Sequence, residues 1–120
     1  MFKISVSTTF DAAHFLKDYD GKCANLHGHT WRVEVEVEGQ TTNDLGLLID
    51  FGMIKDYLRE ITSRLDHKLL NDILPVNPTA ENIARYIYLE LKPKLLVYPE
   101  IKLCAVKVWE SPNNAATYLE

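Results

Sequence analysis

Three of the four histidines, His14, His27 and His29, are set where they could share one ligand. His27 and His29 stand two residues apart and lead into Thr30-Trp31-Arg32-Val33-Glu34-Val35-Glu36-Val37-Glu38, whose strict polar/apolar alternation predicts a β-strand. Residues i and i+2 of an extended chain project from the same face, so both imidazoles can reach one point. Gly28 between them has no side chain and leaves room for backbone or a ligand to come close. His14 lies at the end of an earlier alternating stretch, which antiparallel pairing with the second strand would bring to the same place. Three imidazoles suit Zn²⁺, and three protein ligands with one open position describe a catalytic rather than a structural site. A histidine taken singly is more often an ordinary core or surface residue, and the His27/His29 pair shifts that balance only in part.

Cys23 lies four residues before His27 in a polar loop with Asp20, Gly21, Lys22 and Asn25, conditions that favour a thiolate. It could act in proton transfer, or it could be a fourth ligand that closes a structural site, and spacing does not separate the two. Cys104, between Leu103 and Ala105, reads instead as a small buried hydrophobe. Asp66-His67 reads either as an oriented acid/base pair or as the charged end of a helix. Glu110 follows an apolar run and Trp109, where an acid is unusual, so it points either into a pocket or to solvent at a strand end.

The elements that must position these groups follow from periodicity. Residues 2–10 alternate, with Phe2, Ile4, Val6 and Thr8 on one face, and 10–14 ends that strand. The second strand pairs with it antiparallel. Gly39 to Gly46 is turn-rich, and Leu47-Leu48-Ile49 is a short extended run. Asp50 caps a helix whose stripe is Met53, Ile54, Tyr57, Leu58, Ile61 and Leu65. Thr79, after Pro78, caps a second helix with Ile83, Ile87 and Leu91 inward, and Pro93 limits its run. Residues 102–110 and 115–119 are strands on either side of a turn at Ser111-Pro112-Asn113-Asn114. The order β-β-α-α-β-β predicts an α+β fold, a four-stranded antiparallel sheet with both helices on one face. Its two open edges invite pairing with other copies of the chain.

Composition agrees. The 120 residues fit a single domain spanning 1–120, and 47% hydrophobic residues can fill a core. The 13 basic residues against 17 acidic ones form no basic cluster, which argues against nucleic acid and against an anionic membrane surface. The alternation begins at Met1-Phe2-Lys3-Ile4 with no signal-peptide pattern and no apolar run of membrane-spanning length, so a cytoplasmic chain is expected. Two cysteines are expected to be reduced thiols.

Phe10-Asp11-Ala12-Ala13-His14, Cys23-x3-His27-Gly28-His29, Ile49-Asp50-Phe51, Leu65-Asp66-His67, Asn77-Pro78-Thr79-Ala80-Glu81-Asn82 and Trp109-Glu110 together resemble, in order, the motifs of the 6-pyruvoyl-tetrahydropterin synthase / 6-carboxytetrahydropterin synthase family. The three-residue gap between Cys23 and His27 is most similar to the bacterial 6-carboxytetrahydropterin synthases of queuosine biosynthesis. The resemblance implies the tunnelling fold (T-fold), in which sheets of several subunits close into a barrel, and a homohexamer built as a dimer of trimers. It implies that His14, His27 and His29 bind Zn²⁺, that Cys23 is the general base, that Asp66 and His67 relay protons, that Glu110 anchors the pterin ring, and that Glu81 assists substrate binding. The implied reaction converts 7,8-dihydroneopterin triphosphate to 6-carboxy-5,6,7,8-tetrahydropterin, acetaldehyde and triphosphate. Rival expectations are the pyruvoyl-forming reaction, which eliminates triphosphate without cleaving the side chain, and a noncatalytic pterin-binding or structural zinc protein. Ser111-Pro112-Asn113-Asn114 departs from the Thr-rich or Cys-containing sequences of relatives, which leaves nearby substrate contacts open.

Overall fold

The computed structural model describes every residue from Met1 to Glu120. Its main elements are β1 (Phe2–His14), β2 (His27–Gly39), α1 (Phe51–Ser63), α2 (Ala80–Leu95), β3 (Lys102–Ser111) and β4 (Asn114–Tyr118). They realise the expected β-β-α-α-β-β order. The strands form one antiparallel sheet in the order β1-β2-β3-β4, so β1 and β4 are its edges. Both helices cover one face. Val6, Phe10 and Ala12 of β1, Trp31, Val33, Val35 and Val37 of β2, and Val106 and Val108 of β3 meet Ile54, Leu58 and Ile61 of α1 and Ile83, Ile87 and Leu91 of α2 in one buried cluster. Burying these branched side chains against each other is the main stabilising term of such a fold. No helix is long and apolar enough to cross a membrane.

The caps are where the sequence puts them. Asp50 Oδ1 accepts from Gly52 N at 2.7 Å, and Thr79 Oγ1 accepts from Asn82 N at 3.1 Å. β1 ends at His14, as expected, because β2 begins at His27 and gives every residue from Phe2↔Gly39 to His14↔His27 a partner. Two expectations change. Leu47-Leu48-Ile49 is no strand. Asn43 Oδ1 accepts from Leu45 N and Leu47 N and folds this segment into a turn, while Leu48 and Ile49 drop into the core. Cys104 is not a core residue. The β2–β3 register shifts between Glu36 and Val37, leaving Cys104 as the extra residue of a bulge between Leu103 and Ala105. It is half-buried, and desolvation first, then Glu38, pushes its thiol up to about 11.

Candidate metal centre and active site

The β1/β2 ladder brings His14 opposite His27 and Ala12 opposite His29 at the end of the sheet. On the core side all three imidazoles follow directly from the buried face, and Trp31, the next inward residue of β2, lies beneath them. The His14, His27 and His29 ring centroids are 4.5 Å (14 to 27), 5.2 Å (14 to 29) and 4.8 Å (27 to 29) apart. Trp31 meets His14 and His29 edge to face at 4.9 and 5.2 Å and donates its indole N–H to the Ala12 carbonyl at 3.2 Å.

Backbone carbonyls set the tautomers. His14 Nδ1 is 2.7 Å from Pro78 O and His27 Nδ1 is 2.6 Å from Asn25 O. A carbonyl only accepts, so each Nδ1 carries a proton, and in the neutral ring Nε2 then presents a lone pair. Those two Nε2 atoms face each other at 3.0 Å. Two lone pairs at that distance call for a cation. His29 Nε2 is buried with no hydrogen-bond partner, 3.4 Å from Glu110 Oε1. Burial is the leading cause that lowers the pKa of both His14 and His29, with neighbouring imidazoles adding to the effect, and this favours the neutral form of both rings. One ligand atom from each of His14, His27, His29 and Glu110 lies within 4.8 Å of the others. Three imidazoles, two of them oriented by carbonyl acceptors, with a carboxylate alongside, are a donor set that fits a divalent ion such as Zn²⁺.

Glu110 reaches this place because β3 carries it two residues beyond Val108 on the same face. Cys23 is not one of the four converging residues. It sits half-buried in a 3-10 turn, Lys22–Ala24, whose Cys23 carbonyl accepts from Leu16 N at 2.7 Å. The fourth side chain beside the imidazoles is thus Glu110, which disfavours a structural site closed by Cys23.

Asp66 and His67 come from the turn after α1 and are fastened to β1. Asp66 Oδ1 accepts from Asp11 N at 2.9 Å, His67 N donates to Asp11 O at 2.6 Å, and Asp66 Oδ2 lies 2.9 Å from His67 Nδ1. His67 holds φ 56°, a left-handed conformation uncommon for a side-chain-bearing residue. The Asp11 N–H, then His67, hold the Asp66 carboxyl below its usual range, and the hydrogen bond from His67 to Asp66 raises the imidazole above its own. The pair is exposed, so water screens it.

Two concavities meet at His29. A groove of ≈ 550 Å³ is bordered by Asp11, His29, Thr30, His67 and Lys68, and a second of ≈ 630 Å³ by His29, Arg32, Trp109, Glu110, Ser111 and Pro112. Gly28 borders both, and a β-carbon there would meet only Ala12 O, at 3.7 Å. Glu81 is exposed on the first turn of α2 and lines neither groove. Sequence reasoning gave Asp11 no role, although its backbone seats both Asp66 and His67 and its carboxylate accepts from Thr30 Oγ1. An acid between Phe10 and Ala12 was the available signal. The carbonyls of Asn25 and Pro78 gave no signal at all, since any residue carries one.

Comparison with known proteins gives the same direction. The family model described as 6-pyruvoyl tetrahydropterin synthase matches residues 3–120. The 6-carboxy-5,6,7,8-tetrahydropterin synthase of Haemophilus influenzae is 32% identical, with 100% of each chain covered. That of Rickettsia conorii is 34% identical over 94% of this chain and 96% of its own. Among solved structures, Caenorhabditis elegans 6-pyruvoyl tetrahydropterin synthase superposes with a TM-score of 0.86 at 25% identity, covering 99% of this chain and 95% of that one.

Proposed function

The chain belongs to the 6-pyruvoyl tetrahydropterin synthase family, and from that premise we propose that it is a zinc-dependent 6-carboxy-5,6,7,8-tetrahydropterin synthase acting on 7,8-dihydroneopterin triphosphate. The observation that carries the reading is the convergence of three imidazoles with Glu110, next to a groove that also holds His67. Its products are 6-carboxy-5,6,7,8-tetrahydropterin, acetaldehyde and triphosphate, supplied to queuosine biosynthesis in the cytoplasm.

His14, His27 and His29 hold the zinc, which when bound supplies Lewis acidity toward oxygens of the substrate side chain. Glu110, at the mouth of the second groove, is the acceptor for N–H donors of the pterin ring and so fixes the ring relative to the imidazoles. Cys23 as thiolate removes a proton from the substrate side chain. His67, held by Asp66 and with its protonated form favoured, gives and takes the matching proton. Triphosphate loss and carbon–carbon cleavage follow from these transfers, and the overall conversion takes up one water. The unpaired outer edges of β1 and β4 support assembly of the sheet with other copies into a homohexamer, a dimer of trimers. On this reading Glu81 serves substrate binding across a subunit boundary.

The deciding experiment incubates zinc-loaded protein with 7,8-dihydroneopterin triphosphate and identifies products by chromatography and mass spectrometry. Acetaldehyde with 6-carboxytetrahydropterin supports the proposal. A 6-pyruvoyl product without acetaldehyde replaces it with the sister reaction, and no turnover by fully zinc-loaded protein refutes the enzymatic reading.

A further inference from the structure

Beyond His14 the chain leaves the β1/β2 ladder, and the backbone of Phe15, Leu16 and Lys17 needs new partners. Two asparagine side chains supply them. Asn71 Oδ1 accepts from Phe15 N at 3.0 Å while Asn71 Nδ2 donates to Phe15 O at 2.9 Å. Asn77 repeats the pattern on Lys17, at 2.9 Å to its N–H and 3.0 Å to its carbonyl. A primary amide carries the same donor and acceptor as a peptide group, so each asparagine stands in for one residue of a neighbouring strand. Between them, Leu16 N turns the other way and donates to Cys23 O at 2.7 Å. The segment 15–17 is therefore gripped on one side by the two amides and holds the Cys23 turn on the other.

Both grips are themselves anchored. Asn71 follows fully buried Leu70 and a bridge between Leu69 and Ala13. The Asn77 carbonyl accepts from Thr79 N at 2.8 Å and Asn82 Nδ2 at 2.9 Å, at the start of α2. Asn77 also precedes Pro78, whose carbonyl orients His14. One dipeptide thus fastens a metal-site imidazole through its backbone and the Cys23 loop through its side chain.

We infer that Asn71 and Asn77 are positioning residues that fix Cys23 relative to the histidine cluster. They hold it through the backbone of residues 15–17 and touch no substrate. The inference rests on the proposed role of Cys23 as the proton-transfer group. A displacement of about 1 Å of a catalytic group can cost on the order of a hundredfold in rate, so loosening this clamp affects turnover far more than metal binding.

The test uses full-length, zinc-loaded Asn71→Ala and Asn77→Ala, with Asn71→Asp and Asn77→Asp as near-isosteric variants that keep the acceptor and lose the donor. Folding is checked by circular dichroism and zinc by mass spectrometry. Iodoacetamide alkylation of Cys23 is followed by peptide mapping, with Cys104 as internal reference, and kcat and KM are measured with dihydroneopterin triphosphate. The expected result is full zinc content, alkylation of Cys23 accelerated at least severalfold while Cys104 is unchanged, and kcat lowered by roughly 10- to 100-fold with KM little altered. Unchanged Cys23 alkylation and kcat in folded variants overturn the inference. So does equal acceleration at both cysteines, which marks general loosening. If Cys23→Ala keeps full turnover, the role of Cys23 falls, while the alkylation rates still judge the clamp on their own.

Discussion

Adding zinc to metal-free protein should raise its melting temperature by about 10 °C, and the structure says which residues carry that shift. A ligand that binds only the folded state stabilises it by about 2.7 kcal/mol when present at a hundred times its Kd. With an unfolding entropy of roughly 2 cal/mol/K per residue, 120 residues give about 0.25 kcal/mol/K, and the quotient is about 10 °C. The proposed ligand atoms are Nε2 of His14 and His27, whose Nδ1 protons are committed to Pro78 O and Asn25 O, and the unpartnered Nε2 of His29. His27→Ala should therefore abolish the shift, whereas Cys23→Ala and Glu110→Gln should keep it. Differential scanning calorimetry with zinc and with a chelator reads all four proteins. Equal zinc shifts in wild type and His27→Ala, or a shift lost in Cys23→Ala, would refute the three-imidazole site.

In the metal-free protein His14 and His29 hold pKa values below the ordinary 6.5, so the unfolded chain binds more protons than the folded one once pH drops under that value. Melting temperature should then fall as pH is lowered through and below 6.5, and the fall should be smaller in His14→Gln. Cys23→Ala and His67→Ala should lose turnover while retaining zinc and the circular dichroism of the wild type, and Cys104→Ala should remain active. Because Asp66 raises the pKa of His67, any limb of the pH–rate profile that needs protonated His67 should move to lower pH in Asp66→Asn; an unmoved limb would assign it to another group. Trp31→Phe removes the buried indole donor from Ala12 O and should cost about 1–3 kcal/mol, read by urea unfolding. Mixing refolded Cys23→Ala and His67→Ala subunits should restore part of the activity if the site is shared between copies, and an active monomer in sedimentation would exclude both the ring and the shared site.

How far the sequence could be read depended on whether a feature was local. Asp50 and Thr79 announced their helices because an N-cap bonds two or three residues ahead, and β2 was plain because Trp31, Val33, Val35 and Val37 alternate with charged residues. The end of β1 at His14 was legible only through the expected pairing with β2, since Ala12 and Ala13 carry little hydrophobic signal of their own. The bulge at Cys104 depends on its neighbour strand, so an apolar run concealed a residue that faces outward. The three histidines could be grouped from spacing and antiparallel pairing. That Glu110 rather than Cys23 stands beside them could not, because it depends on where β3 ends against β2.

The division of labour among these elements follows from what each group must do. A metal site needs donors fixed to a few tenths of an ångström, and His14, His27 and His29 sit on paired strands, with carbonyl acceptors that further restrict the rings of His14 and His27. A general base and a partner acid must instead approach a substrate that enters and leaves, and Cys23 and His67, for which those roles are proposed, lie on turns outside the ladder. Turns alone would leave them too loose, and both are tied back to β1 or its continuation: His67 and Asp66 through the backbone of Asp11, the Cys23 turn through Leu16. On the proposed roles, one strand therefore carries a metal-site imidazole and anchors both proton-transfer groups. A substitution that shifts the end of β1 should accordingly impair zinc affinity and turnover together, whereas one that loosens only a tie should impair turnover alone.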